Sequence, residues 1–138
     1  MFQPAKTKYR KWHRGRNRQY GIATSCTKLV FGSYGLKAVS GGEINSRQLE
    51  AARKAITHHF KRGGKIWIRI FPHQPITRKA AEVPMGAGKG SVEFYVALVK
   101  KGNVLMEIDG IPEDTAKKAI YLAGSKLPVR TKFITSKH

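Results

Sequence analysis

Leu49, Ala52, Ile56 and Phe60 recur at the spacing of one helical face, while Arg47, Lys54, His58 and Lys61 fall together on the opposite side. The pattern predicts a helix from Ser46 to about Phe60, with one face packed and the other basic. Its start is capped by Ser46, or by Asn45 with Gln48 three residues on, and Gly63-Gly64 supply the stop. A second helix opens at Ile111-Pro112-Glu113-Asp114, with proline at the first helical position and two carboxylates where the macrodipole favours them. It runs to about Lys126 on a stripe of Ala116, Ile120, Ala123 and Leu127, and Pro128 ends it.

Between and around the helices the period changes to two. Lys65 to Phe71 alternates strictly, with Ile66, Ile68 and Ile70 on one face and Lys65, Trp67, Arg69 and Phe71 on the other, until Pro72 halts the ladder. Strands at Val92 to Lys100 and Val104 to Asp109 flank Lys101-Gly102-Asn103, which has the length and the glycine of a tight antiparallel hairpin. Leu29 to Val39 reads as a kinked or bulged strand broken by Gly32 and Gly35, and Val129 to Thr135 as a last strand.

These elements make an α+β fold, a two-layer sandwich of two helices on a mostly antiparallel sheet, as a single domain over residues 1–138. Two irregular segments stand outside that scaffold: an extended N-terminal arm, residues 1–28, and a long Gly-rich loop, residues 72–91. Loops of that length in a small domain are usually functional or disordered.

Charge gives the segments a purpose. Lysine and arginine number 27 against 8 acidic residues, a formal net charge of +19, so a polyanion is the expected partner. The first acidic residue is Glu43. Ahead of it the arm carries Lys6, Lys8, Arg10, Lys11, Arg14, Arg16 and Arg18, interleaved with Phe2, Tyr9, Trp12, His13 and Tyr20, a mixture suited to phosphate pairing and base stacking. Its cations form no amphipathic helical stripe, which argues against a transit peptide. The long loop adds Arg78, Lys79 and Lys89, with Gly86, Gly88 and Gly90 allowing close backbone approach to another surface, and Pro72, Pro75 and Pro84 limiting the entropy lost on ordering. Trp67 is expected to pack rather than to offer a base-stacking platform, with Arg69 beside it snorkelling or pairing with a phosphate.

Other chemistries are poorly supported. The run Gly86-Ala87-Gly88-Lys89-Gly90 is not a phosphate loop, because Val83 stands where the first glycine is required and Gly90 follows the lysine. It is not a dinucleotide fingerprint either, since Ser91 takes the place of the last glycine. Cys26 is the only cysteine, which excludes an internal disulfide and any multi-cysteine zinc site. His58 and His59 are consecutive on a helix and diverge by about 100°. No catalytic residue, metal site or cofactor is assigned, and no membrane span or secretory signal is expected.

The string KRGGKIWIRIFP, Lys61 to Pro72, is similar to the signature of the ribosomal protein L-sixteen family of bacterial and plastid large subunits. The resemblance extends over essentially the full length, through FQPAKTKYRKWHRGRNR at Phe2 to Arg18, FGSYGLKA at Phe31 to Ala38, RQLEAARKAI at Arg47 to Ile56 and KLPVRTKFIT at Lys126 to Thr135. It implies a structural component of the large ribosomal subunit in the cytoplasm or a plastid. That component binds large-subunit ribosomal RNA, contacts neighbouring ribosomal proteins, and helps position transfer RNA at the aminoacyl site near the peptidyl-transferase region, with transfer RNA at the peptidyl site as the alternative contact. It would neither self-associate nor catalyse. The implied RNA contacts are the arm cations named above together with Gly86, Gly88, Lys89 and Gly90; Trp12, His13, Arg47, Lys54, Arg78 and Lys79 join them from the charge pattern. In the loop the family commonly has Arg-Met-Gly-Lys-Gly-Lys-Gly, and this chain departs from it at Pro84 and Ala87, where two cations are lost. Rival functions are an RNA-modifying or RNA-processing enzyme and a cationic protein that coats nucleic acid without specificity.

Overall fold

The computed structural model describes residues 22–23, 26–60, 63–77 and 92–136. The element order is β1 (Tyr34–Ala38), β2 (Gly42–Asn45), α1 (Ser46–Phe60), β3 (Lys65–Ile68), β4 (Gln74–Thr77), β5 (Val92–Val99), β6 (Val104–Asp109), α2 (Glu113–Ser125) and β7 (Thr131–Thr135). This is the expected α+β class, with the sheet divided in two: one of four strands in the order β3-β6-β1-β7, and one of three in the order β2-β5-β4. All the strand pairs are antiparallel.

Both helices form where their apolar spacing places them. Asn45 is the cap that α1 uses: the Gln48 N–H donates to Asn45 Oδ1 at 2.8 Å and the Asn45 N–H to Gln48 Oε1 at 3.0 Å, a reciprocal pair that satisfies two backbone donors. Pro112 sits one position earlier than expected, as the N-cap of α2, with extended backbone (φ −62, ψ 151) and its carbonyl accepting from the Ala116 N–H at 2.9 Å. Leu49, Ala52 and Ile56 of α1 and Ala116, Ala119, Ile120 and Ala123 of α2 are buried. They share one apolar core with Tyr34, Leu36 and Ala38 of β1, Ile44 of β2, Val99 of β5, and Met106 and Ile108 of β6. Leu127, expected on the α2 stripe, packs against this core partly buried.

The expected hairpin between β5 and β6 does not form. The turn itself is present, with Gly102 at φ 102, the Asn103 N–H donating to the Lys100 carbonyl at 3.1 Å and the Lys100 N–H to Asn103 Oδ1 at 2.7 Å. The strands then part into different sheets: β5 pairs with β2 and β4, and β6 with β1 and β3. β1 explains the split. Its last residue, Ala38, accepts from the Gly102 N–H and donates to the Asn103 carbonyl, both at 2.8 Å, so the turn is held by β1 and β6 leaves along it.

The long loop is shorter at its start than the sequence pattern suggested, since β4 occupies Gln74–Thr77. Pro75 is tolerated because β4 is the edge of its sheet, where a missing N–H breaks no second ladder. The strand predicted over Lys65 to Phe71 ends at Ile68, although the Arg69 N–H still reaches the Leu105 carbonyl at 2.9 Å. Beyond that point Cys26 has taken the edge of β6: its carbonyl accepts from the Val104 N–H at 2.7 Å and its Sγ lies 3.4 Å from the Val104 carbonyl. The last strand begins at Thr131, two residues later than expected.

Candidate nucleic-acid interface

Segments placed outside the scaffold by pattern are partly built into it. Ile22 forms a parallel bridge with Lys101, the Ala23 N–H donates to the Lys101 carbonyl at 2.9 Å, and Cys26 binds Val104. The described residues before β1 therefore follow the start of β6 in a parallel sense. They then reach Glu107, whose side chain is 0% exposed. Glu107 lies opposite Gly35 of β1 and Trp67 of β3 in the ladder, hence on the sheet face turned away from the Leu36–Met106 pair and the core beneath the helices.

A carboxylate in that position needs partners, and it has four. Glu107 Oε1 accepts the backbone N–H groups of Val30 (2.8 Å), Phe31 (2.8 Å) and Gly32 (3.0 Å), and Oε2 pairs with the Arg69 guanidinium. Burial pushes the carboxyl's pKa upward. The Gly32 N–H, Arg69 and the N–H groups of Val30 and Phe31 outweigh that push and hold it below the usual carboxylate range. Three successive amides on one oxygen form an anion nest turned inward, which fixes this stretch of backbone on the sheet.

Around the anchor, the Phe31 ring stacks on Trp67 with centroids 5.9 Å apart, and the Arg69 guanidinium carbon lies 5.2 Å from the Phe31 centroid. Trp67 thus packs, as expected, half-buried. Arg69 corrects the expectation: it neither snorkels nor waits for a phosphate, because its charge is committed to Glu107. Phe31 remains 54% exposed, an aromatic surface beside the root of the basic arm.

Of the expected RNA contacts, Arg47 and Lys54 are exposed on α1, two turns apart, with His58 one turn beyond Lys54. Arg53 is turned instead to Glu50, whose carboxyl it draws below the usual range. Lys6, Lys8, Arg10, Lys11, Trp12, His13, Arg14, Arg16, Arg18, Arg78, Lys79, Gly86, Gly88, Lys89 and Gly90 lie outside the described residues. The ends of the second segment are nonetheless defined, since Thr77 and Val92 are partners in the β4–β5 ladder. The two strand ends that border residues 78–91 therefore meet at one point.

Pattern reasoning passed over Glu107 and the lysines of α2 and β7. A signal for Glu107 was present: it is the one acid inside the apolar run Val104 to Ile108, and a charge in a strand buried at every one of those positions requires an internal partner. Among the described residues no group of His, Cys, Asp and Glu is placed to hold a metal ion, and no helix is long and apolar enough to cross a membrane. A family model described as ribosomal protein L16p/L10e matches residues 4–134.

Proposed function

The chain belongs to the ribosomal protein L16p/L10e family and is a structural protein of the large ribosomal subunit, and from that premise we propose how it works there. It binds large-subunit ribosomal RNA as an anchor. Its folded body fixes the points from which two cationic segments enter the RNA, and it carries out no reaction. The segment of residues 78–91 lies against transfer RNA at the aminoacyl site. The observation that carries this reading is the placement of the segment roots: residues 26–32 are tied down by Cys26 and the Glu107 nest, and residues 78–91 start and end at the Thr77–Val92 pair. A rigid root reduces the entropy lost when a charged segment orders on its partner.

Attachment is electrostatic first: cations displace condensed counterions, and the log of affinity falls with the log of salt at a slope of roughly −0.7 to −0.9 per phosphate neutralised. The test is binding of the full chain and of a chain lacking residues 1–20 to large-subunit ribosomal RNA across a salt series, with co-sedimentation on large subunits in high salt. A flatter slope on truncation is expected. An unchanged slope removes the arm as the main contact, and failure of the intact chain to travel with the subunit removes the whole reading.

A further inference from the structure

A groove of about 980 Å³ lies between α2 and β7, on the helix side of the four-stranded sheet, away from the Glu107 face. Its rim carries Lys117 and Lys118 on α2, both exposed, with His59 of α1, against a single carboxylate, Asp114; Lys132 borders it from β7 but lies opposite Lys37 in the ladder, on the other sheet face from Phe133. Tyr121 stands 78% exposed one turn beyond the two α2 lysines, and Phe133 contributes to the apolar lining. Nothing in the family match or in the segments already discussed assigns a role to this surface.

We propose that this groove is a further RNA-binding site, which takes an unpaired stretch of RNA with its phosphates on Lys117 and Lys118 and a base stacked on Tyr121. The inference rests on the RNA-binding reading above and adds a contact on the side opposite the N-terminal root. Charge selects the occupant. The chain's own undescribed N-terminal residues are rich in lysine and arginine and would be repelled by the same two lysines. A protein strand adding to the sheet would have to pair along β7, its edge, where Lys132 is the kind of charged residue that discourages such pairing. A polyanion with π-faces matches both the lysines and the exposed ring, as in other sites for unpaired nucleic acid.

The test compares the full chain with the double variant Lys117→Ala/Lys118→Ala and with Tyr121→Ala, each binding large-subunit ribosomal RNA over a salt series. Two lost phosphate contacts should flatten the slope by roughly 1.4 to 1.8, and loss of the ring should weaken binding roughly 5- to 150-fold. A photoreactive group at position 121, in subunits assembled with the full chain, should cross-link to RNA. Unchanged slope and affinity in both variants while the intact chain binds RNA, or a cross-link to protein instead, overturns the groove proposal and leaves the anchor reading standing. Failure of the intact chain to bind RNA overturns that reading itself.

Discussion

Arg69 and Glu107 form an ion pair on the sheet face turned away from the helices, 38 residues apart in sequence and side by side in the structure. The pair is at once a structural contact and a lock on the chain before β1, because the same carboxylate holds three consecutive amides of residues 30–32. Glu107 is thus an acid that a basic, anion-seeking protein keeps for itself, and it stands where the arm joins the body.

Removing that carboxylate leaves a half-buried guanidinium partner and three amides without an acceptor. Glu107→Ala should cost about 3–5 kcal/mol, the range for breaking one side of a buried pair, out of a total that for a domain of this size is about 5–15 kcal/mol. Glu107→Gln keeps an oxygen for the amides and should cost less, about 1–3 kcal/mol. Urea unfolding of the two variants and the parent measures both, and equal stability of all three would remove the anchor.

The same carboxyl gives an acid-range dependence whose sign is fixed. Its folded pKa is held below the ordinary value of 4.5, so the stabilisation is complete above about pH 4.5 and is lost as pH falls through the lower folded value. The difference in unfolding free energy between the parent and Glu107→Gln should therefore be constant near neutrality and shrink on acidification. A gap that widens as pH falls contradicts the assignment.

Gly32 makes the close approach that the nest requires. A Cβ built there would lie 2.6 Å from the Ile108 carbonyl oxygen, a backbone atom that cannot turn aside. Gly32→Ala should destabilise by about 1–3 kcal/mol and increase hydrogen exchange at the Val30 and Phe31 amides. Unaltered exchange would mean that the backbone yields without losing the anchor.

Arg47 and Lys54 are exposed on α1. The double variant Arg47→Ala/Lys54→Ala should keep its unfolding midpoint, each change falling within about 0.5 kcal/mol. Its RNA-binding slope in log salt should flatten by roughly 1.4 to 1.8 if both meet phosphates. A full slope in a folded variant would take this helix face out of the interface.

Much of the molecule was determined by the sequence alone. The spacing of Leu49, Ala52 and Ile56, and of Ala116, Ile120 and Ala123, set two helices and their buried faces, because period and burial are local properties that three or four neighbouring residues settle. Net charge set the class of partner for a similar reason: it is a sum that no folding can change. Partner choice was left to the tertiary structure. Alternation in Val92 to Val99 and Val104 to Asp109 gives each strand its faces but not its neighbours, and only the hold of Ala38 on the turn sends them into separate sheets. Likewise the pattern could show Arg69 as an outward cation and Glu107 as an isolated acid, while their meeting beneath Phe31 depends on two strands brought together by the ladder. A long-range pair is decided by packing, and a linear text of hydrophobic and polar positions does not contain it.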